Sequence, residues 1–137
     1  MRIALMVLAL LSITPALAQE PPSFTIYFDL NSARPSEAAR KIVERAADVA
    51  KQREAENRFD HIKVVGYADT SGSDARAQVL SQERAEAVKQ LLLARGLPAT
   101  KVKTEGRGKH DLAVATRNHV RDARNRRARI VIYAPGE

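Results

Sequence analysis

The hydrophobic pattern opens with an almost unbroken apolar run. Ile3 to Ile13 is interrupted only by Ser12, Thr14-Pro15 then breaks any helix, and Ala16-Leu17-Ala18 sets small residues at the −3 and −1 positions of a cleavage site. With Met1-Arg2 as a positive start, this is the three-part layout of a secretory signal peptide. A membrane-spanning helix needs about 20 apolar residues, and this run is shorter. The expectation is therefore a signal peptide over residues 1–18, with an uncleaved anchor as the competing reading. Residues 19–23, with Pro21-Pro22, read as a short leader, and the folded domain is expected over residues 24–134.

After the leader, strand-like and helix-like patterns take turns. Phe24 to Phe28 is β-branched and aromatic, which predicts a strand. Asp29 to Ser32 reads as a turn. Pro35, Ser36 and Glu37 are residues that favour a helix start. Ala38, Ile42, Val43, Ala46, Val49 and Ala50 recur at helical spacing, so a helix with one apolar face is predicted to about Glu54. His61 to Tyr67 predicts a second strand centred on Ile62, Val64 and Val65. A turn-rich loop from Gly66 to Asp74 leads into a helix from about Ser73 to Arg95, which Gly96 closes. Lys101 to Arg107 predicts a third strand. A long loop to His119 and a helical turn over Val120 to Arg124 precede the last strand, Ala128 to Tyr133. The order is β-α-β-α-β-β. The expected class is α/β (α+β): a two-layer sandwich with two long helices packed on a four-stranded sheet.

Composition narrows the function. The sequence has 137 residues and no cysteine, so it offers no disulfide and no cysteine after the cleavage site to carry a lipid. Stability must come from a packed core. The formal charge is +7, and a basic balance of this size often means nucleic acid. Export argues against that partner. So do aromatics at only 4% with no Trp, which are poor material for stacking bases. An anionic cell wall or membrane surface suits the charge better.

Two residues stand out chemically. Asp69 follows a buried-type strand, in a loop that ends at a helix start, where a carboxylate is favoured. On the second helix, Leu80, Val88 and Leu91 mark an apolar stripe that contains Arg84. A guanidinium there is costly unless paired. A second stripe, through Ala85, Val88 and Leu92, would leave Arg84 at the edge. Asp69 is the natural partner or neighbour of Arg84. Together they suit a zwitterion, the carboxylate taking an ammonium and the guanidinium taking a carboxylate through two hydrogen bonds. The diamino acid of a Gram-negative stem peptide carries both groups on one carbon. The bland alternative is an Asp cap and a solvated Arg.

Other polar residues offer less. His61, His110 and His119 lack metal-ligand spacing, and neither a metal nor a cofactor is expected. Ser71, Ser73 and Ser81 have no His nearby in sequence, so no catalytic triad is expected. Gly106-Arg107-Gly108 lacks the rest of a phosphate loop. Arg121, Arg124, Arg126, Arg127 and Arg129 form the strongest charge run. It reads as a solvated face or as a contact for anionic wall polymer or lipid headgroups.

Four segments carry a resemblance. They are Ile26-Tyr27-Phe28-Asp29 with Asn31 and Pro35; Val65 to Ser73, of the form G-x-x-D-x-x-G; Leu80 to Val88, of the form L-S-x-x-R-A-x-x-V; and Asn125-Arg126-Arg127-Ala128-Arg129-Ile130. In this order and spacing the chain resembles the OmpA-like C-terminal domain, which also occurs in Pal lipoproteins and the flagellar stator protein MotB. The resemblance spans about Phe24 to Tyr133. It implies a non-catalytic domain of the cell envelope that binds peptidoglycan through meso-diaminopimelate. It implies a periplasmic place, peripheral to the outer membrane or associated with other envelope proteins. The family's key Asp falls on Asp69 and its key Arg on Arg84, while Asp29 and Arg126 match pocket-lining positions. The sequence departs where the family has Asn three residues before the motif Leu, since Ala77 stands there. A domain that kept the fold but binds a protein partner is the alternative. Exchange of Asp69 or Arg84 for Ala is expected to abolish wall binding without unfolding the domain.

Overall fold

A computed structural model describes residues 19–137. The expected signal peptide lies outside the described residues. The elements are β1 (Ser23–Tyr27), α1 (Glu37–Ala55), β2 (His61–Gly66), α2 (Asp74–Ala94), β3 (Val102–Gly106) and β4 (Arg127–Tyr133), with single 3₁₀ turns at Ala99–Lys101 and Ala123–Asn125. The β-α-β-α-β-β order follows the hydrophobic pattern. Boundaries move by a residue or two, and the helical turn falls at Ala123–Asn125 rather than from Val120. Among the described residues, no helix is long and apolar enough to cross a membrane.

The strands form one mixed sheet in the order β1-β4-β2-β3. β4 is antiparallel to both its neighbours, and β2 pairs with β3 in parallel. Alternation sends one set of side chains toward the helices. Ile26 and Phe28 of the first strand and its exit, Ile62 and Val64 of β2, Val102 of β3, and Ala128, Ile130 and Ile132 of β4 are buried there. Both helices cover this face, giving two layers around one core. The other face carries Lys63 and Arg129 and a stacked pair, His61 on Tyr133. An antiparallel edge arrangement tolerates such a solvated face.

Small side chains bring α1 close to the sheet. Its buried residues are Ala39, Val43, Ala46, Ala47 and Ala50. Ala38, expected on this face, is exposed, and Ala39 takes its place. The true stripe runs at i, i+4, i+7, i+8 and i+11, which excludes Ala38 by one residue. Ser36 caps this helix, its hydroxyl accepting from the Ala39 N–H at 3.1 Å.

The sheet tapers toward one end. Register places Ile132, Ile62 and Val102 side by side, whereas Ala128, Gly66 and Gly106 share the corresponding row four residues along each strand. That row has almost no side chain, so α2 settles directly on the backbone. A Cβ at Gly66 would lie 1.8 Å from the Ser81 carbonyl oxygen, and one at Gly106 would lie 2.6 Å from the Gln82 nitrogen. The close approach lets the Ser81 hydroxyl accept from the Gly108 N–H at 2.8 Å, and Gln78 Nε2 donate to the Gly106 carbonyl at 2.7 Å.

Gly66→Ala therefore forces helix and sheet apart. It should lower stability by about 2–3 kcal/mol, the cost of overpacking a filled core. At Gly72 an added Cβ would meet only Arg76 side-chain carbons, at 3.8 Å and beyond. Gly72→Ala should shift stability by no more than about 0.5 kcal/mol. Urea unfolding midpoints of the two variants check both statements.

Candidate functional site

The carboxyl ends of β1 and β2, the start of β4 and the N-terminus of α2 meet at the tapered end of the sheet. Asp69 comes from the loop after β2, Arg84 from the third turn of α2, and Arg126 from the residue before β4. All three line one pocket, with Leu30, Asn31, Ala68, Ser71, Gly72, Arg76, Ala77 and Leu80. Asn31 sits in the left-handed region, at φ 51°, which its short polar side chain tolerates.

Arg84 is fully buried, at 0% exposure. Its Nε donates to the Ser32 carbonyl at 2.9 Å, Nη1 to the Tyr67 carbonyl at 2.9 Å, and Nη2 to the Asp29 carbonyl at 3.1 Å. Its guanidinium carbon lies 5.2 Å from the centre of the Phe28 ring. Neither expected stripe describes α2, because Leu80, Arg84, Ala85, Val88 and Leu92 are all buried. The helix lies against bare backbone on one side and the core on the other, so its buried face is broad. Burial pushes the Arg84 guanidinium down to about 10, against the pull of the nearby Asp69 carboxylate. It remains charged at neutral pH.

Asp69 is not the direct partner of Arg84. Its carboxylate pairs with Arg126 Nη1 at 3.1 Å. The same oxygen accepts from the Asp122 N–H at 3.2 Å, and the other accepts from the Ser71 N–H at 3.1 Å and the Ser71 hydroxyl. Asp69 is only 5% exposed. Burial pushes its carboxyl up, but the bonds from Ser71, Arg126 and Asp122 outweigh burial and hold it below the ordinary 3.8. Nor does Asp69 cap α2. Ser73 does, accepting from the Arg76 N–H at 3.1 Å.

Arg126 holds the first strand as well, its Nε donating to the Phe28 carbonyl at 3.0 Å. Two of its five donors are thus placed, and its side chain is 16% exposed. Asp29 needs a correction. Its carbonyl accepts from Arg84, but the residue is exposed and lines a neighbouring groove with Arg34 and Arg40, outside the lining of the pocket.

Two buried polar residues fix the long loop that borders the site. Asn125 pairs with the Val114 backbone in both directions at 2.9 Å. The Thr70 hydroxyl donates to the Arg117 carbonyl at 2.6 Å and accepts from the Val120 N–H at 3.1 Å. In the charge run, Arg127 stacks 3.9 Å from the Tyr67 ring centre and Arg124 pairs with Asp122 at 2.8 Å, while Arg121 and Arg129 are exposed. Sequence reasoning passed over Arg76, which stands at the lip. The signal was a cation in the first turn of a helix, where the macrodipole disfavours it. Among the described residues, no group of three His, Asp or Glu is placed to hold a metal ion.

Comparison with known proteins places the fold. The sequence profile described as OmpA family matches residues 27–126. The outer membrane protein A of Bordetella avium is 30% identical over 106 residues, which cover 77% of this chain and 53% of that protein. The chain spans about half, or less, of the length of the curated relatives it matches. Among solved structures, the peptidoglycan-associated lipoprotein from Burkholderia pseudomallei aligns with a TM-score of 0.69 at 27% identity, over 79% of this chain and 88% of that one. The cell wall anchor of the T6SS from Pseudomonas aeruginosa aligns at 0.65 and 25% identity, over 82% and 80%. With its two helices on a four-stranded mixed sheet and the family's sequence pattern over most of its length, the chain belongs to the OmpA family.

Proposed function

We propose that this domain binds peptidoglycan without catalysis, taking the diaminopimelate of the stem peptide into the pocket of Asp69, Arg84 and Arg126. The observation that carries the reading is the Asp69–Arg126 ion pair, set in a pocket wall with Arg84 behind it. A zwitterion matches such a pair. Its ammonium takes the Asp69 carboxylate, and its carboxylate takes the guanidinium donors of Arg126 that lack a partner among the described residues. The pair opens and both halves are matched again by charge-assisted bonds. A ligand with only one of the two charges would leave a largely buried charge unmatched, which is costly.

Arg84 works from behind. Three of its five donors are spent on carbonyls, so its charge and its hold on two loops shape the pocket. The names of the similar structures, a peptidoglycan-associated lipoprotein and a cell wall anchor, support the reading. Export through the segment 1–18 into the periplasm belongs to the same proposal, as does anchoring of the envelope, peripheral to the outer membrane or through other envelope proteins.

Sedimentation with insoluble peptidoglycan sacculi tests it. The mature protein should sediment. Asp69→Asn keeps the shape of the side chain, loses its charge, and should stay in solution while folded. A folded wild type that stays in solution would overturn the reading and favour the protein-binding adaptor. Arg84→Ala is a different case from the expectation based on sequence. It empties a fully buried side-chain position and removes the donor to the buried Tyr67 carbonyl, so it should cost about 3 kcal/mol or more of stability, read from the urea midpoint. An unchanged midpoint would contradict the assigned role of Arg84.

Acid gives a separate check. A carboxyl held below 3.8 contributes stability above that pH and loses it as pH falls through the lowered folded value. Asp69→Asn cannot titrate. The stability gap between wild type and Asp69→Asn should therefore be constant near neutral pH and narrow below pH 3.8.

A further inference from the structure

We propose that Arg76 makes this pocket selective for a stem peptide with a second free carboxylate, beyond the one on the zwitterionic carbon. The inference rests on the wall-binding reading and names its substrate class more closely.

Arg76 lines the same pocket as Asp69, Arg84 and Arg126. Its stem runs beside Gly72, where an added Cβ would touch Arg76 Cγ at 3.8 Å. Glu83 is its ion-pair partner, at 3.7 Å, with both side chains about half exposed. A pair of that length and exposure is held loosely and can be exchanged for another carboxylate. The helix dipole works against Arg76. It is the third residue of α2, at the positive end of the macrodipole. The neighbouring Ala77 is buried in the pocket wall and offers no polar group, so it leaves room at the lip and no competing donor.

Charge makes the same point. Among the side chains that line the pocket, Asp69 is the one carboxylate, against the guanidinium groups of Arg76, Arg84 and Arg126. A lone zwitterion adds no net charge and leaves the positive excess as it was. A ligand with one more carboxylate reduces it, and Arg76 is the most exposed of the three cations, free to swing toward it. A stem peptide has two such groups near the diamino acid. One is the α-carboxylate of the γ-linked glutamate before it. The other is the carboxylate at the peptide's own C-terminus. Amidation of either removes the charge and keeps the size.

Calorimetric titration of the mature protein separates the outcomes. The ligands are the tripeptide alanyl-γ-glutamyl-diaminopimelate, its glutamate α-carboxamide, and its C-terminal carboxamide. Wild type should bind one carboxamide about fivefold more weakly than the free tripeptide, the range of a partly exposed ion pair, and the form affected identifies the group that Arg76 takes. Arg76→Gln should bind the three ligands alike, and Arg76→Lys should keep most of the preference. Thermal unfolding of Arg76→Gln should match or exceed that of wild type, since a cation leaves the helix start. Equal binding of all three ligands by wild type would overturn the assignment of Arg76, as would an unchanged preference in Arg76→Gln. Failure of wild type to bind any of them would overturn the wall-binding reading itself.

Discussion

A single guanidinium ties the working end of this domain together. Arg84 reaches from α2 to the carbonyls of Asp29 and Ser32 in the turn after β1, and of Tyr67 in the exit from β2. Those carbonyls lie where strand pairing has stopped, so no sheet neighbour satisfies them. A buried charge with no carboxylate in direct contact needs such compensation, and three well-placed carbonyls with the Phe28 face supply it. The arrangement requires α2 to lie very near the sheet. Gly66 and Gly106, paired across β2 and β3, together with Ala128 on β4, provide that nearness.

With the inner charge fixed, the outer pair becomes the responsive part. Asp69 accepts four hydrogen bonds, and Arg126 bridges it to the end of β1. These bonds hold the carboxylate ionised and fixed in place, the preorganisation that the proposed binding would use. Thr70 and Asn125 do similar work for the long loop on the far side, each through bonds to backbone more than ten residues away. The result is a rigid rim of mixed charge around a small pocket. Paired opposite charges, a polar rim and a few apolar wall residues make up its lining.

Much of the fold was legible in the sequence because burial imposes periods. Alternation in Ile62-Lys63-Val64 and the spacing of Val43, Ala46 and Ala50 each have one physical cause, a single face turned to the core. Ala38 was misplaced because an alanine contributes little to such a pattern and the neighbouring Ala39 fits it equally well. The identity of Asp69, Arg84 and Arg126 as pocket residues was also within reach, through motif spacing. Their partners were not. Backbone carbonyls carry no signature in sequence, so Arg84 was matched to the nearest obvious carboxylate. The true partner of Asp69 lies 57 residues away, across the antiparallel return of β4. Asp29 shows the same limit, since its contribution to the site is a carbonyl that any residue could supply.

The central claim is that the pocket grips an ammonium and a carboxylate borne by one carbon. The most direct measurement compares two tripeptides by calorimetry, one ending in diaminopimelate and one with lysine in its place. The lysine peptide keeps the side-chain ammonium and lacks the carboxylate beside it. Saturable binding of the first and no measurable binding of the second is the predicted result. Equal affinity for both, or heat from neither, would contradict it.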